Sequence, residues 1–282
     1  MDTNIFEVCM PHGDANSEYK EICNDFSCTI QESFPGDLVA YAYLSGTFAY
    51  RGSTKGKSDI DVTIVFKNNS YLMDLAYIHK QVGTFIMKYH MIHKQYGYIS
   101  DAVFPGEYIT VAQVQDAISG RGFSVNKNKK LFLPEASNEY YLSNKEYWFR
   151  AWLSSIAFSS FLYGNKDLML QHKNKAWKTV ILFLLSQYTP PLISGGTLIE
   201  RMLENENKWG GVGVTNRYTL FLEQELPIVE IILKDLKEEG FLIEKESHTY
   251  EVVTLKVTNW EQKIVSSLLD KRVQKSAILF GS

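Results

Sequence analysis

Two aspartates one residue apart, Asp59 and Asp61, are the side chains whose type and spacing point most directly to chemistry. In an extended segment residues i and i+2 project from the same face, so both carboxylates can offer hard oxygen donors to a divalent cation such as Mg²⁺. Without a cation the two charges repel each other. The alternate residues Ile60, Val62, Ile64 and Phe66 are apolar, which predicts a strand over 59–66 buried on one face and presenting Asp59, Asp61 and Thr63 on the other. A third carboxylate on a neighbouring strand would complete a two-metal site. Asp101, in the apolar-flanked run Ile99-Ser100-Asp101-Ala102-Val103, is the candidate, with Glu107 as the substitute.

Upstream, Gly46-Thr47 follows the apolar run Leu38 to Leu44. Glycine there lets backbone amides approach phosphate oxygens, and the threonine hydroxyl can donate to them, which describes a triphosphate cradle. Arg51, Ser53, Lys55 and Lys57 lie between this turn and the aspartates, placed to hold β- and γ-phosphates or a leaving pyrophosphate.

Gly46-Thr47, the spacer, Ser58-Asp59-Ile60-Asp61 and a later strand carboxylate together resemble the DNA polymerase β-like nucleotidyltransferase superfamily, with Thr47 keeping the hydroxyl of the usual serine. The resemblance covers roughly residues 16 to 110. It implies an enzyme that binds a nucleoside triphosphate with two Mg²⁺ ions and transfers the nucleoside monophosphate to an acceptor hydroxyl, releasing pyrophosphate. By the same resemblance, Asp59 and Asp61 ligate both metals. Asp101 ligates the catalytic metal and assists deprotonation of the acceptor. Gly46, Thr47, Arg51 and Ser58 serve the nucleotide, and Lys175 and Lys178, on the segment NKAWKTVILFLL, reach the triphosphate from a second domain. The later half is similar in size and character to the helical second domains of small antibiotic nucleotidyltransferases.

The elements that must position these groups follow from periodicity. Tyr19, Ile22, Cys23, Phe26, Ile30 and Phe34 predict a helix over about 16–34, stopped by Pro35-Gly36-Asp37. Strands are predicted over 38–44 and 59–66, a helix over about 70–94, and a third strand over Tyr96 to Phe104. Beyond the basic loop Ser119 to Lys130 the chain turns helical, with Tyr147, Trp148, Trp152, Ile156 and Phe161 marking one helix and Trp177, Ile181, Leu184 and Leu185 another. Leu226 to Glu239, Phe241 to Lys245 and Tyr250 to Val257 then predict helix, strand, strand. The expected architecture is α/β (α+β): a nucleotidyltransferase-fold domain with a small mixed sheet over 1–135, and a mainly helical domain over 136–282 that ends in a helix plus β-hairpin.

Composition bounds the function. The 282 residues are 45% hydrophobic and carry a net charge of −3, so the chain is globular and lacks the basic excess of a generic nucleic-acid coat. No apolar run is long enough to span a bilayer, the N-terminus lacks the pattern of a secretory signal, and the three cysteines form no disulfide framework; a cytoplasmic protein with no membrane partner is expected. The helix and hairpin near residue 240 resemble a winged-helix module. Glu223, Glu225, Glu230, Asp235, Glu238, Glu239, Glu244 and Glu246 would repel phosphates there, so no DNA partner is expected. Cys9, His12, Cys23 and Cys28 match no common zinc spacing, and His90 and His93, one helical turn apart, read as surface or packing residues. An acidic chain favours a small hydroxylated, antibiotic-like acceptor. The basic loop Arg121 to Lys130 supports the alternative of tRNA or a protein side chain, and a third reading is a nucleotide-binding regulator without turnover. Acceptor, base preference and oligomeric state are left open by the sequence.

Overall fold

The computed structural model describes residues 17–34, 38–49, 53–67, 75–100, 105–119, 153–187, 192–198, 200 and 215–269. Its first half runs α1 (Ser17–Ser33), β1 (Val39–Ser45), α2 (Gly46–Ala49), β2 (Asp61–Phe66), α3 (Leu75–Tyr96), β3 (Glu107–Thr110) and α4 (Val111–Ile118). The second half adds α5 (Ser154–Ala157), β4 (Ser160–Gly164), α6 (Lys166–Gln187), α7 (Thr215–Glu238), β5 (Leu242–Glu246), β6 (Thr249–Val252) and α8 (Thr254–Leu269). Among the described residues this is a mixed α/β arrangement, with one four-stranded sheet and one two-stranded sheet.

The larger sheet has the order β3-β2-β1-β4. β1 pairs antiparallel with β2 and with β4, while β3 pairs parallel with β2. Strand alternation sends side chains to two separate cores. On one face Ala42, Leu44, Val62, Ile64 and Phe66 pack with Tyr19, Ile22, Phe26 and Ile30 of α1 and with Phe85, Tyr89 and Ile92 of α3. On the other, Tyr41, Tyr43, Val65 and Ile109 pack with α4, α6, α7 and the hairpin, and Trp177 among them is fully buried. A register shift between Val39 and Tyr41 changes the alternation near the start of β1.

Three expectations are corrected. The third strand is Glu107–Thr110, whereas 97–100 form a turn and irregular chain and 101–104 lie outside the described residues. Phe161 belongs to β4 and not to a helix running through Ile156, which sits in the single turn α5. The chain after Val253 is helical, so the strand expected over 250–257 stops at Val252. The sheet also takes its fourth strand from beyond residue 135, so sheet and helical half share one core.

Candidate active site

β1 ends at Ser45, which pairs with Asp61, so the first residue of β2 stands beside the last residue of β1. Gly46 then turns the chain with φ +66°, a conformation that costs an L-residue strain. A Cβ at this position would lie 2.0 Å from Asp61 Oδ2 and 3.2 Å from its Cγ. The Asp61 carboxylate therefore occupies space that any other residue at 46 would fill. Behind the turn, Phe48 of α2 is buried, stacked on Tyr19 at 4.9 Å between ring centroids and met edge-on by Tyr98 at 5.5 Å. These rings anchor the one-turn helix that carries Gly46 and the partly exposed Thr47.

Asp61 is exposed and Asp59 partly so, while Ile60 between them is fully buried. Asp59 lies just ahead of β2 and not within it, because the ladder with β1 ends at Asp61. The Ile60 backbone is held instead by α3: its N–H donates to His93 Nε2 at 3.0 Å, and its C=O accepts from the Tyr89 hydroxyl at 3.0 Å. His93 Nδ1 bonds the Tyr89 carbonyl at 2.9 Å, so both ring nitrogens are engaged, and a metal shared between His90 and His93 is not what this helix turn builds. Burial holds the His93 pKa below the ordinary histidine value, the Tyr89 carbonyl and the Asp59 charge pulling the other way.

The loop before Asp59 is closed by its own hydrogen bonds. Thr54 N–H donates to Ser58 Oγ at 3.0 Å, and Ser58 N–H donates back to the Thr54 carbonyl at 2.8 Å. Gly56 N–H reaches the Gly97 carbonyl, and Ile99 N–H reaches the Ser58 carbonyl, tying the loop to the chain leaving α3. Ser58 thus shapes the approach to the aspartates, and Lys55 is paired with Glu18 of α1. Arg51 and Asp101 lie outside the described residues.

The described carboxylate next along the sheet is Glu107, opposite Thr63 in the parallel ladder. Its Oε2 accepts from Thr63 Oγ1 at 3.1 Å, which places it on the Asp61 and Thr63 side of the sheet. Burial, and secondarily the Glu107 charge, push the Tyr43 phenol well above its ordinary pKa. Among the described residues no group of three His, Cys, Asp or Glu side chains is gathered closely enough to hold a metal by itself. Asp59 and Asp61 are nonetheless suited to a hard cation: both donors are carboxylate oxygens, and the space that receives Asp61 is kept open by the absence of a side chain at 46.

The two predicted lysines sit elsewhere. Lys175 and Lys178 line a cavity of about 160 Å³ between α6 and α7, with Asn174, Ile228, Ile232 and Asp235, and Gly46, Asp59 and Asp61 do not line it. Lys178 forms an ion pair with Glu239. The structure brings Gly46 and Asp61 into contact, with Thr47, Ser58 and Asp59 beside them in the chain. Sequence reasoning missed His93 and Tyr89 as supports of the aspartate pair. Their signal was i, i+4 spacing on the buried face marked by Phe85 and Ile92.

No family model matches the chain, and neither a curated protein nor a solved structure does.

Proposed function

We propose that this chain is a divalent-metal-dependent nucleotidyltransferase that moves a nucleoside monophosphate from a nucleoside triphosphate to a hydroxyl of a small acceptor, with release of pyrophosphate. The observation that carries the reading is the seating of the Asp61 carboxylate in the space left by Gly46, beside the Gly46-Thr47 turn and one residue from Asp59. This juxtaposition puts candidate phosphate donors and candidate metal ligands at the same end of two paired strands.

Asp59 and Asp61 would hold Mg²⁺, which when bound supplies charge neutralisation for the triphosphate and makes the acceptor hydroxyl more acidic. The Gly46-Thr47 backbone and the Thr47 hydroxyl bind phosphate oxygens. The acceptor oxygen forms a bond to the α-phosphorus, the bond from that phosphorus to the bridging oxygen breaks, and pyrophosphate departs. The acceptor proton passes to a carboxylate, a role the family resemblance gives to Asp101. The net charge of −3 favours a cationic or neutral small acceptor over a polyanion.

The test is pyrophosphate release with ATP, GTP, CTP or UTP and Mg²⁺, against aminoglycosides, lincosamides and bulk tRNA, with the Asp59→Ala/Asp61→Ala double variant as control. Release that requires one acceptor class and vanishes in the control supports transfer and names the acceptor. Asp61→Asn is expected to lower the rate by about three orders of magnitude. Because Asp61 is exposed, the variant's melting temperature should match the parent's. Full activity in the folded variant would remove Asp61 from the site.

A further inference from the structure

We propose that His93 is a positioning residue that, with Tyr89, fixes the separation and aim of Asp59 and Asp61 by holding the backbone of Ile60. The inference rests on the reading of those aspartates as metal ligands.

Ile60 lies where the sheet can no longer serve it. The β1–β2 ladder ends at the pair Ser45 and Asp61, and β3 begins only at Glu107, opposite Thr63. The Ile60 side chain is fully buried, so its amide and carbonyl sit where an unpaired polar group costs free energy. Both are satisfied from α3, one turn apart, by His93 Nε2 and the Tyr89 hydroxyl, each at 3.0 Å. A residue held at N–H and C=O has little freedom about its flanking dihedrals, and those dihedrals set where Asp59 and Asp61 point.

The imidazole is itself held in the state the task requires. To accept from Ile60 N–H, Nε2 must carry a lone pair, and the bond from Nδ1 to the Tyr89 carbonyl places the ring's one proton on Nδ1. His93 is fully buried, its ring 4.1 Å from Tyr89 and 5.9 Å from Phe26 between centroids, so it cannot swing away. Lysine, arginine or a second N–H donor at position 93 would face the amide with the wrong polarity. A glutamine can place its Oε1 near the Nε2 position and restore the acceptor, whereas phenylalanine fills the space and cannot.

The experiment measures Mn²⁺ binding, read by loss of the free-ion paramagnetic resonance signal, in the presence of a non-hydrolysable nucleoside triphosphate analogue, together with kcat and KM for pyrophosphate release. His93→Phe is expected to weaken Mn²⁺ binding about tenfold and to lower kcat with little change in nucleotide KM, and His93→Gln is expected to recover most of both. Tyr89→Phe, which removes only the hydroxyl, should shift Mn²⁺ binding in the same direction by a smaller factor. If His93→Phe does not fold, Tyr89→Phe and the parent's imidazole nitrogen resonances still decide: a proton on Nε2 at neutral pH overturns the proposal. Loss of Mn²⁺ binding in Asp61→Asn with unchanged binding in folded His93→Phe defeats the positioning role and leaves the metal site standing. Unchanged Mn²⁺ binding in Asp61→Asn, or none in the parent protein, overturns both together.

Discussion

Replacing Gly46 by alanine would place a methyl group 2.0 Å from Asp61 Oδ2 and ask an L-residue to hold φ +66°. The backbone strain alone costs about 1–2 kcal/mol, and a carboxylate displaced by about an ångström would lower turnover by roughly two orders of magnitude. Thermal melts run beside pyrophosphate release would separate the two effects, and a variant with parental turnover would break the link between turn and carboxylate. Lys178→Ala, by contrast, removes a partly exposed ion pair with Glu239 and should leave the nucleotide KM unchanged; a raised KM would return Lys178 to the nucleotide. Gly46, Asp59 and Asp61 stood out in the sequence as candidates because their residue types are costly without a role. His93 did not, since a lone histidine on a helix carries no mark of which way it faces. Only its place in the set Phe85, Tyr89, Ile92 and His93, all buried in the structure, marks the inward face.

At the scale of elements, legibility followed the strength of the period. α1 and α6 were readable from residues such as Tyr19, Ile22, Phe26 and Ile30, or Trp177, Ile181 and Leu184, which the structure buries together. β3 was missed because four residues, Glu-Tyr-Ile-Thr, are too few to alternate, while Tyr98 and Ile99 upstream have equally strand-like side chains. The Thr110 N-cap, which accepts from Gln113 N–H as Gln113 Oε1 accepts from Thr110 N–H, marks the strand-to-helix boundary that composition hid. What joins α6 to α7 is also polar, and it corrects the placing of Glu225 on a phosphate-repelling face, since Glu225 and Lys173 are both buried. Lys173 Nζ donates to the Glu225 carboxylate and to the Ser159 carbonyl, each at 2.8 Å, and Trp177 Nε1 donates to Glu225 at 3.1 Å. Burial pushes the Glu225 carboxyl up, against the pull of Lys173. Lys173→Met would strand this acid in the core and is expected to cost about 3–5 kcal/mol in urea unfolding, whereas Lys173→Met/Glu225→Leu should regain much of it. Equal loss in the single and double variants would show that the contribution is packing and not charge.

Across the whole molecule, the core behind the sheet joins residues from Ala40 to Val257, so the strands that carry the candidate site and the helical half share one core. His172 of α6 meets Tyr41 of β1 at 2.7 Å across this core, and its pKa is pushed down to about 4, by burial first and then by Lys175. The unfolded chain, with a histidine near 6.5, takes up the proton first as pH falls, so this contribution is complete above the unfolded value and is lost between it and the folded one. His93, lowered in the same sense, adds to the slope. Stability is therefore expected to drop by about 2 kcal/mol from His172 alone between roughly pH 7 and 5, and His172→Phe should flatten that slope. An unchanged slope would place the titration elsewhere. The pairing of β4 with β1 has a further meaning during synthesis. The free edge of β1 waits while all the intervening chain is translated, and until Ser160–Gly164 emerges the newborn protein carries an open template for any passing strand. A ribosome that stalls between β2 and β4 would thus release a product prone to aggregate, and the cell would meet this protein's hazards before its finished fold.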